Sequence, residues 1–232
     1  MDKVVFITGA GSGIGKATAR KLVSLGAKVY TLTLKAEEVA DLTAELGDSF
    51  GCTIGSVADE AAVRNAFADC EKRFGRVDVL INNAGVGIPT PDLAEADLST
   101  FETTFDVNVR GVFLCTREAL KRMKPRQNGH IITLISMAGQ RTNPGAPLYC
   151  ASKFAARGFN GGLADQVIKS HIKVTDINPG PVDSNYWGDR KVAREKFLKP
   201  ADVANVIAFV IDQPDYLMIR EINFDNINFL IK

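Results

Sequence analysis

The stretch Thr8-Gly9-Ala10-Gly11-Ser12-Gly13-Ile14-Gly15 decides the reading of this chain. It follows the apolar run Val4 to Ile7 and opens a segment in which Ile14, Ala17, Leu22 and Leu25 recur at helical spacing, with Gly26 as the stop. A glycine-rich turn between a strand and a helix lets the backbone approach a bound group, and the helix start offers unpaired N–H groups with a partial positive charge. A phosphate suits that place. Spacing excludes two better-known phosphate loops. Where a P-loop needs its first glycine there is Ala10, and Ala17 stands where the Mg²⁺-binding hydroxyl should follow Gly15-Lys16. The pattern G-x-G-x-x-G fails as well, because Gly9 and Gly11 are followed by Ile14, and Gly11 and Gly13 by Lys16. The pattern that remains is T-G-x-x-x-G-x-G.

Outward from this turn, strand-like and helix-like segments alternate. Lys28 to Thr33 precedes Ala36 to Leu46, and Phe50 to Ile54 precedes Asp59 to Phe74. Val77 to Asn82 is followed by a helical region from Leu98 to Met123, His130 to Ile135 by Tyr149 to Ile168, and Ile172 to Ile177 by Pro200 to Ile211, with a last strand at Glu221 to Phe224. Such alternation builds βαβ units, which cross over right-handedly and place helices on both faces of a parallel sheet. The expectation is an α/β, doubly wound parallel sheet of seven strands in a single domain over residues 1–232. Ser184 to Lys199 fits no element and reads as a lid.

With 28 basic and 27 acidic side chains in 232 residues, the chain carries no field for non-specific capture of nucleic acid or anionic lipid. The 46% hydrophobic fraction excludes disorder. Met1-Asp2-Lys3 runs straight into the first strand without a signal-peptide core, and no apolar run approaches the roughly 18 residues of a membrane span, so a cytoplasmic protein is expected. Cys52, Cys70, Cys115 and Cys150 are widely spaced and, with His130 and His171, are read as structural; no metal site is expected.

Several further motifs stand in a telling order: Asn82-Asn83-Ala84-Gly85 after the fourth strand, Asn108 within Val107-Asn108-Val109-Arg110-Gly111, and Ser136 in Ile135-Ser136-Met137-Ala138-Gly139. Tyr149-Cys150-Ala151-Ser152-Lys153 and Pro179-Gly180-Pro181-Val182-Asp183-Ser184 complete the set. From Thr8 to about Glu221 the chain resembles the short-chain dehydrogenase/reductase family in its compact single-domain branch. The resemblance implies a Rossmann fold with sheet order 3-2-1-4-5-6-7 and a nicotinamide dinucleotide across the carboxyl ends of the strands. It also implies a homodimer or homotetramer, built on the helix from Tyr149 and the one near Val112 to Met123.

Carried onto these positions, the family's catalytic set is Asn108, Ser136, Tyr149 and Lys153. Tyr149 and Lys153 share a helix face at i and i+4. A phenol with an ordinary pKa near 10 needs a neighbouring positive charge to trade its proton near neutrality, and Lys153 supplies one. The resemblance makes Tyr149 the general acid or base in hydride transfer at a carbonyl or alcohol carbon. Ser136 then holds the substrate oxygen, and Asn108 positions a water leading from Lys153 to solvent. Coenzyme contacts are implied at Gly9, Ser12, Gly13, Ile14 and Gly15, at Thr33, Leu34 and Lys35, at Ser56 and Val57, and at Asn82, Ala84 and Gly85. Others fall at Tyr149, Lys153, Pro179, Gly180, Val182 and Ser184.

The chain departs from the family at the end of the second strand. An acidic residue matching Thr33 would mark NAD, and an arginine matching Leu34 would mark NADP; neither is present. The missing acid and the nearby Lys35 favour NADP(H), with NAD(H) as the alternative. Ser56 replaces a common aspartate at the adenine. For the substrate, Arg141, Arg190 and Arg194 are candidate carboxylate receptors, as for a 3-hydroxy acid, whereas Ile88, Leu148 and Trp187 suit a hydrophobic carbonyl compound. The stretch Pro200 to Ile222 is nearest to NADP-dependent 3-hydroxy acid and carbonyl reductases. A second reading stays open, a non-enzymatic dinucleotide-binding or regulatory protein of the same fold.

Overall fold

A computed structural model describes residues 1–231. Seven strands form one parallel sheet: β1 (Val4–Thr8), β2 (Lys28–Thr33), β3 (Phe50–Ile54), β4 (Val79–Asn82), β5 (Gly129–Leu134), β6 (Ile172–Pro179) and β7 (Glu221–Phe224). Their order is β3-β2-β1-β4-β5-β6-β7, as the family resemblance implied. The central strands read as nearly continuous apolar runs because both faces are covered. In β1, alternate side chains serve opposite faces. Val5 and Ile7 join a core with Leu22, Leu42, Val203 and Ile207 under helices α1 (Gly13–Ser24), α2 (Ala40–Leu46) and α7 (Pro200–Ile211). Val4 and Phe6 join the other, with Phe67, Leu114, Met123 and Leu163 under α3 (Glu60–Phe74), α5 (Gly111–Met123) and α6 (Pro147–Val167). Phe6 and Phe67 stack with ring centroids 4.1 Å apart.

Two segments differ from their expected form. The helical region Leu98 to Met123 is α4 (Leu98–Phe105), a wider π-type turn (Asp106–Arg110) and then α5. Such a turn inserts a residue into the helix and reorients the side chains around it, a device that recurs at functional sites. The segment Ala36 to Leu46 begins with a separate 3-10 turn, Ala36–Glu38, before α2. The lid region folds as two short turns, Asn185–Trp187 and Arg194–Lys196, tied by pairing of Val182 with Leu198. The last element, α8 (Ile227–Leu230), lies against it, with Phe229 meeting Phe197 at 5.8 Å.

His130 is buried with its Nε2 2.8 Å from Thr175 Oγ1, and burial drives its pKa down to about 3. His171 takes a left-handed turn after α6. Among the described residues there is no group of three or more His, Cys, Asp or Glu that could hold a metal ion.

Below the sheet, Asp78 joins β1, β4 and the loop before β5. Its carboxylate accepts from the Val4 amide at 2.8 Å, Arg76 Nε at 2.8 Å and Arg126 at 3.0 Å. Burial pushes this carboxyl up, but the three hydrogen bonds outweigh it and hold the group below its ordinary value. Asp78→Asn removes the charge that three donors face and is expected to lower stability by about 2–3 kcal/mol. Thermal denaturation should register a fall of about 5–10 °C. The difference between wild type and variant should shrink in acid, below about pH 4, as the Asp78 carboxylate is titrated.

Candidate active site

Strand order reverses between β1 and β4, and the crevice opens there, at the carboxyl ends of the strands. Thr8 Oγ1 accepts from the Asn83 and Ala84 amides at 3.0 and 2.9 Å, and Asn83 Nδ2 donates to the Thr8 and Gly9 carbonyls at 2.9 and 3.1 Å. These bonds fix the glycine turn against the loop after β4. Ser12 stands before α1, yet its hydroxyl makes no capping bond, so the first-turn N–H groups stay available where Ser12, Gly13 and Ile14 line the cleft. Gly15 has another task. A Cβ there would collide with the Gly9 carbonyl and Asn83 Nδ2, so the glycine allows α1 to pack directly on the turn.

The cleft measures about 760 Å³. Gly9, Ser12, Gly13, Ile14, Thr33, Leu34, Ser56, Val57, Ala84, Gly85, Pro179, Gly180, Val182 and Ser184 line it, as do Ser136, Tyr149 and Lys153. Gly15, Lys35 and Asn82 do not. Asn82 is buried, its amide donating to Thr116 at 3.2 Å and Thr133 at 3.4 Å, so it binds strands and helix together. Lys35 is exposed at the start of the 3-10 turn that carries Glu38 into the cleft instead. Ser56 Oγ accepts from the Ala58 amide at 3.1 Å and so shapes its own turn. Ser184 packs over the glycine turn, where a Cβ on Gly13 would lie 3.2 Å from it.

At the other end stand Tyr149 and Lys153 on α6, which starts at Pro147, a residue pre-set for the first helical position. Lys153 Nζ donates to the Leu134 carbonyl at 2.7 Å and lies 5.8 Å from the Tyr149 ring centre. Burial lowers its pKa to about 8, against the pull of Asp176. Burial raises the Tyr149 phenol well above its ordinary value; the neighbouring Tyr186 adds to this and the Ser136 hydroxyl opposes it. Ser136 has φ 108°, a strained backbone for a residue with a side chain, and its Oγ also accepts from the Ala138 amide at 3.1 Å. Asn108 is buried in the π-type turn. It exchanges hydrogen bonds with the Val86 backbone at 2.9 and 2.8 Å and donates to Ser152 Oγ at 3.0 Å. It does not line the cleft, but a Cβ on Gly85 would lie 3.3 Å from Asn108 Oδ1 and 3.5 Å from Lys153 Nζ, so the three converge.

The arginines considered for a carboxylate all have protein partners. Arg190 donates to the Tyr186 and Trp187 carbonyls and stacks on both rings. Arg194 pairs with Asp183 at 3.3 Å and donates to the Gly188 carbonyl at 2.7 Å; Arg141 lies 3.8 Å from Asp225. The wall beside Tyr149 is instead aromatic. Tyr186 sits with its ring centre 5.6 Å from that of Tyr149, Trp187 follows at 5.3 Å from Tyr186, and Phe229 and Leu230 close the side. Sequence reasoning missed Glu38, Asn83, Phe229 and Leu230. Asn83 stood in a quoted motif, but its reach to Thr8 needs β1 beside β4, and nothing local marks the other three.

Comparison with known proteins agrees with this geometry. Residues 3–195 match the family model described as short chain dehydrogenase. An uncharacterised oxidoreductase of Staphylococcus saprophyticus is 30% identical over 225 residues, covering 95% of this chain and 96% of that protein. Among solved structures, a 3-ketoacyl-(acyl-carrier-protein) reductase from Brucella melitensis complexed with NADH superposes with a TM-score of 0.91 at 28% identity, over 97% of each chain. The closed form of a serine dehydrogenase complexed with NADP⁺ gives 0.89 at 27% identity, over 97% of this chain and 95% of that one. With its switch-point cleft, glycine turn and tyrosine–lysine pair, the chain belongs to the short-chain dehydrogenase family and is an oxidoreductase of that fold.

Proposed function

We propose that the protein transfers hydride between a nicotinamide dinucleotide and the carbon of an uncharged, largely apolar ketone or secondary alcohol. One observation carries this reading: the Tyr149 hydroxyl faces the cleft beside Ser136, with the Lys153 ammonium buried one helical turn below. A non-catalytic binding protein of this fold has no use for that arrangement.

The residues present fit the dinucleotide. The uncapped start of α1 and the glycine turn would receive its pyrophosphate; Leu34, Ser56 and Val57 would border the adenosine, and Lys153, Pro179, Gly180 and Val182 the nicotinamide end. When bound, that group supplies the hydride or accepts it. The protein supplies the proton. Tyr149 gives it to the carbonyl oxygen in reduction and takes it back in oxidation, while Ser136 holds that oxygen by a second hydrogen bond. Lys153 stabilises the phenolate formed when Tyr149 gives its proton, an effect that burial strengthens. Asn108 acts as a positioning residue, tying α6 through Ser152 to the loop at Val86 and bordering the space by which Lys153 is reprotonated.

The contacts that already hold the arginines favour an uncharged substrate. Arg190 is held by two backbone carbonyls and the rings of Tyr186 and Trp187, Arg194 by Asp183 and a carbonyl, and Arg141 lies near Asp225, so a substrate carboxylate would compete with existing partners. Tyr186, Trp187, Phe229 and Leu230 offer apolar and ring surface instead. The lid from 184 to 199 would close over such a substrate.

Self-association fits the face made by α5 and α6. Phe113 and Phe154 are exposed there, and Gly158, Gly161 and Gly162 have nothing packed where a Cβ would stand. A second copy of the chain would cover this face. Light scattering after size exclusion should give a dimer or tetramer, and Phe113→Glu with Phe154→Glu should shift it toward monomer.

Catalysis is tested with a panel of uncharged aryl and alkyl ketones and their carboxylate-bearing counterparts. Turnover is expected on the uncharged set, and Tyr149→Phe should reduce it by roughly 10³-fold or more while leaving coenzyme binding within a few-fold. Retained turnover in that variant would sink the mechanism. The reductive rate should hold up to about pH 8 and fall above it, because the Lys153 ammonium, whose pKa is about 8, then loses its charge while Tyr149 keeps its proton. A pH profile of kcat at saturating substrate checks this.

A further inference from the structure

The adenosine end of the cleft holds one feature that no motif marks. Glu38 sits on the 3-10 turn between β2 and α2, and its Oε2 accepts from Thr33 Oγ1 at 3.0 Å. The same side chain lies against the glycine turn: a Cβ built on Gly11 would be 2.6 Å from Glu38 Cβ and 2.9 Å from Oε2. Two independent contacts therefore place this carboxylate between the end of β2 and the pyrophosphate turn. Glu38 is the sole acidic residue lining the cleft among the described residues.

No basic side chain lines that end of the cleft among the described residues. The basic residues that line the cleft, Arg141, Lys153 and Arg190, belong to the catalytic end and the lid. Lys35 stands outside the cleft. Lys16 pairs with Asp41 at 2.6 Å and Arg20 with Asp41 and Glu45, so the nearest bases of α1 are held by α2. Glu38 is thus the one charged side chain, among the described residues, that lines the end of the cleft where the adenosine ribose would lie.

We propose that Glu38 sets coenzyme choice and that the protein prefers NAD(H) to NADP(H). This inference rests on the dinucleotide reading above and deepens it. A carboxylate accepts hydrogen bonds from the vicinal hydroxyls of an unmodified ribose, which replaces hydration lost on binding. A 2′-phosphate removes one of those donors and brings a like charge to the same place, where the low-dielectric walls sharpen the repulsion. The expectation of NADP(H) from sequence rested on the lack of an acid at Thr33 and on the nearness of Lys35. Folding supplies the acid from five positions further on and leaves the lysine outside.

The test is a side-by-side titration of the full chain with NADH and NADPH, read by quenching of Trp187 emission and by calorimetry. NADH should bind at least about tenfold more tightly than NADPH at low salt, with the gap narrowing as added salt screens the repulsion. Glu38→Gln should tighten NADPH several-fold, and Glu38→Arg should reverse the preference. Glu37→Gln, which removes a neighbouring charge outside the cleft, should change neither constant by more than about twofold. Circular dichroism melts confirm that each variant is folded. Tighter NADPH binding by the wild type, or an unaltered ratio in both Glu38 variants, overturns the assignment of Glu38 and leaves the dinucleotide reading intact. Failure of the folded wild type to bind either coenzyme overturns that reading, and this inference with it.

Discussion

Thr8 and Asn83 are seventy-five positions apart in sequence, and four hydrogen bonds join Thr8-Gly9 to Asn83-Ala84 at the top of the sheet, two from amides to the Thr8 hydroxyl and two from the Asn83 side chain to carbonyls. The cleft depends on this junction. A parallel sheet whose order reverses between β1 and β4 sends the chain away in opposite directions, so the loops after those two strands diverge and leave a crevice. Backbone polar groups at the lip of such a crevice lack a ladder partner. The Thr8 hydroxyl and the Asn83 amide supply the missing partners, and they hold the glycine turn at a fixed distance from the loop that carries Ala84 and Gly85. Everything that lines the cleft is referred to that frame.

What could be read from sequence follows from this geometry. The glycine turn and the Tyr149–Lys153 pair were legible because each is local: a turn is written in consecutive residues, and two side chains four apart share a helix face whatever the helix packs against. Strand order was legible only through the family resemblance. Glu38 was not legible, because its aim depends on a 3-10 turn where the periodicity suggested one helix from Ala36 onward. Lys35, three residues earlier, looked as eligible and does not line the cleft. The partners of the lid arginines were out of reach of a sequence reading for a similar reason. Charge and proximity in sequence made them candidates for a substrate carboxylate, but a lid that closes on itself brings carbonyls and Asp183 to them first. Phe229 and Leu230 reach the cleft only because α8 folds back on Phe197.

At the Tyr149 end of the cleft, the fold holds groups that stability alone would not select. Lys153 is buried with one carbonyl partner and a lowered pKa, and Ser136 holds a backbone angle that residues with side chains avoid. Asp176, beside them on β6, is pushed up to about 6, chiefly by burial with Glu221 adding, against the hydrogen bond from Asn160. Each is a local loss that the two cores must offset, since strain and buried charge persist only where the surroundings over-determine them. The surroundings here do so: α6 is anchored along its length by Leu163, Ala164 and Val167 in the core and at its start by the Ser152–Asn108 bond.

These constraints also explain why the two ends of the cleft can be tuned separately. Lys153, Tyr149 and Ser136 answer to α6 and to the turn after β5, whereas Glu38 answers to the link between β2 and α2, on the far side of the Thr8–Asn83 junction. The two groups share no element and no hydrogen-bond partner within the protein, so substitutions at one are expected to combine nearly independently with those at the other. On the reading proposed above, a charge placed on the β2–α2 link would change which ribose is accepted without disturbing proton transfer at the other end. The β2–α2 link and the Tyr149–Lys153 pair stand on different halves of one sheet, and the junction between β1 and β4 is what keeps the two in register.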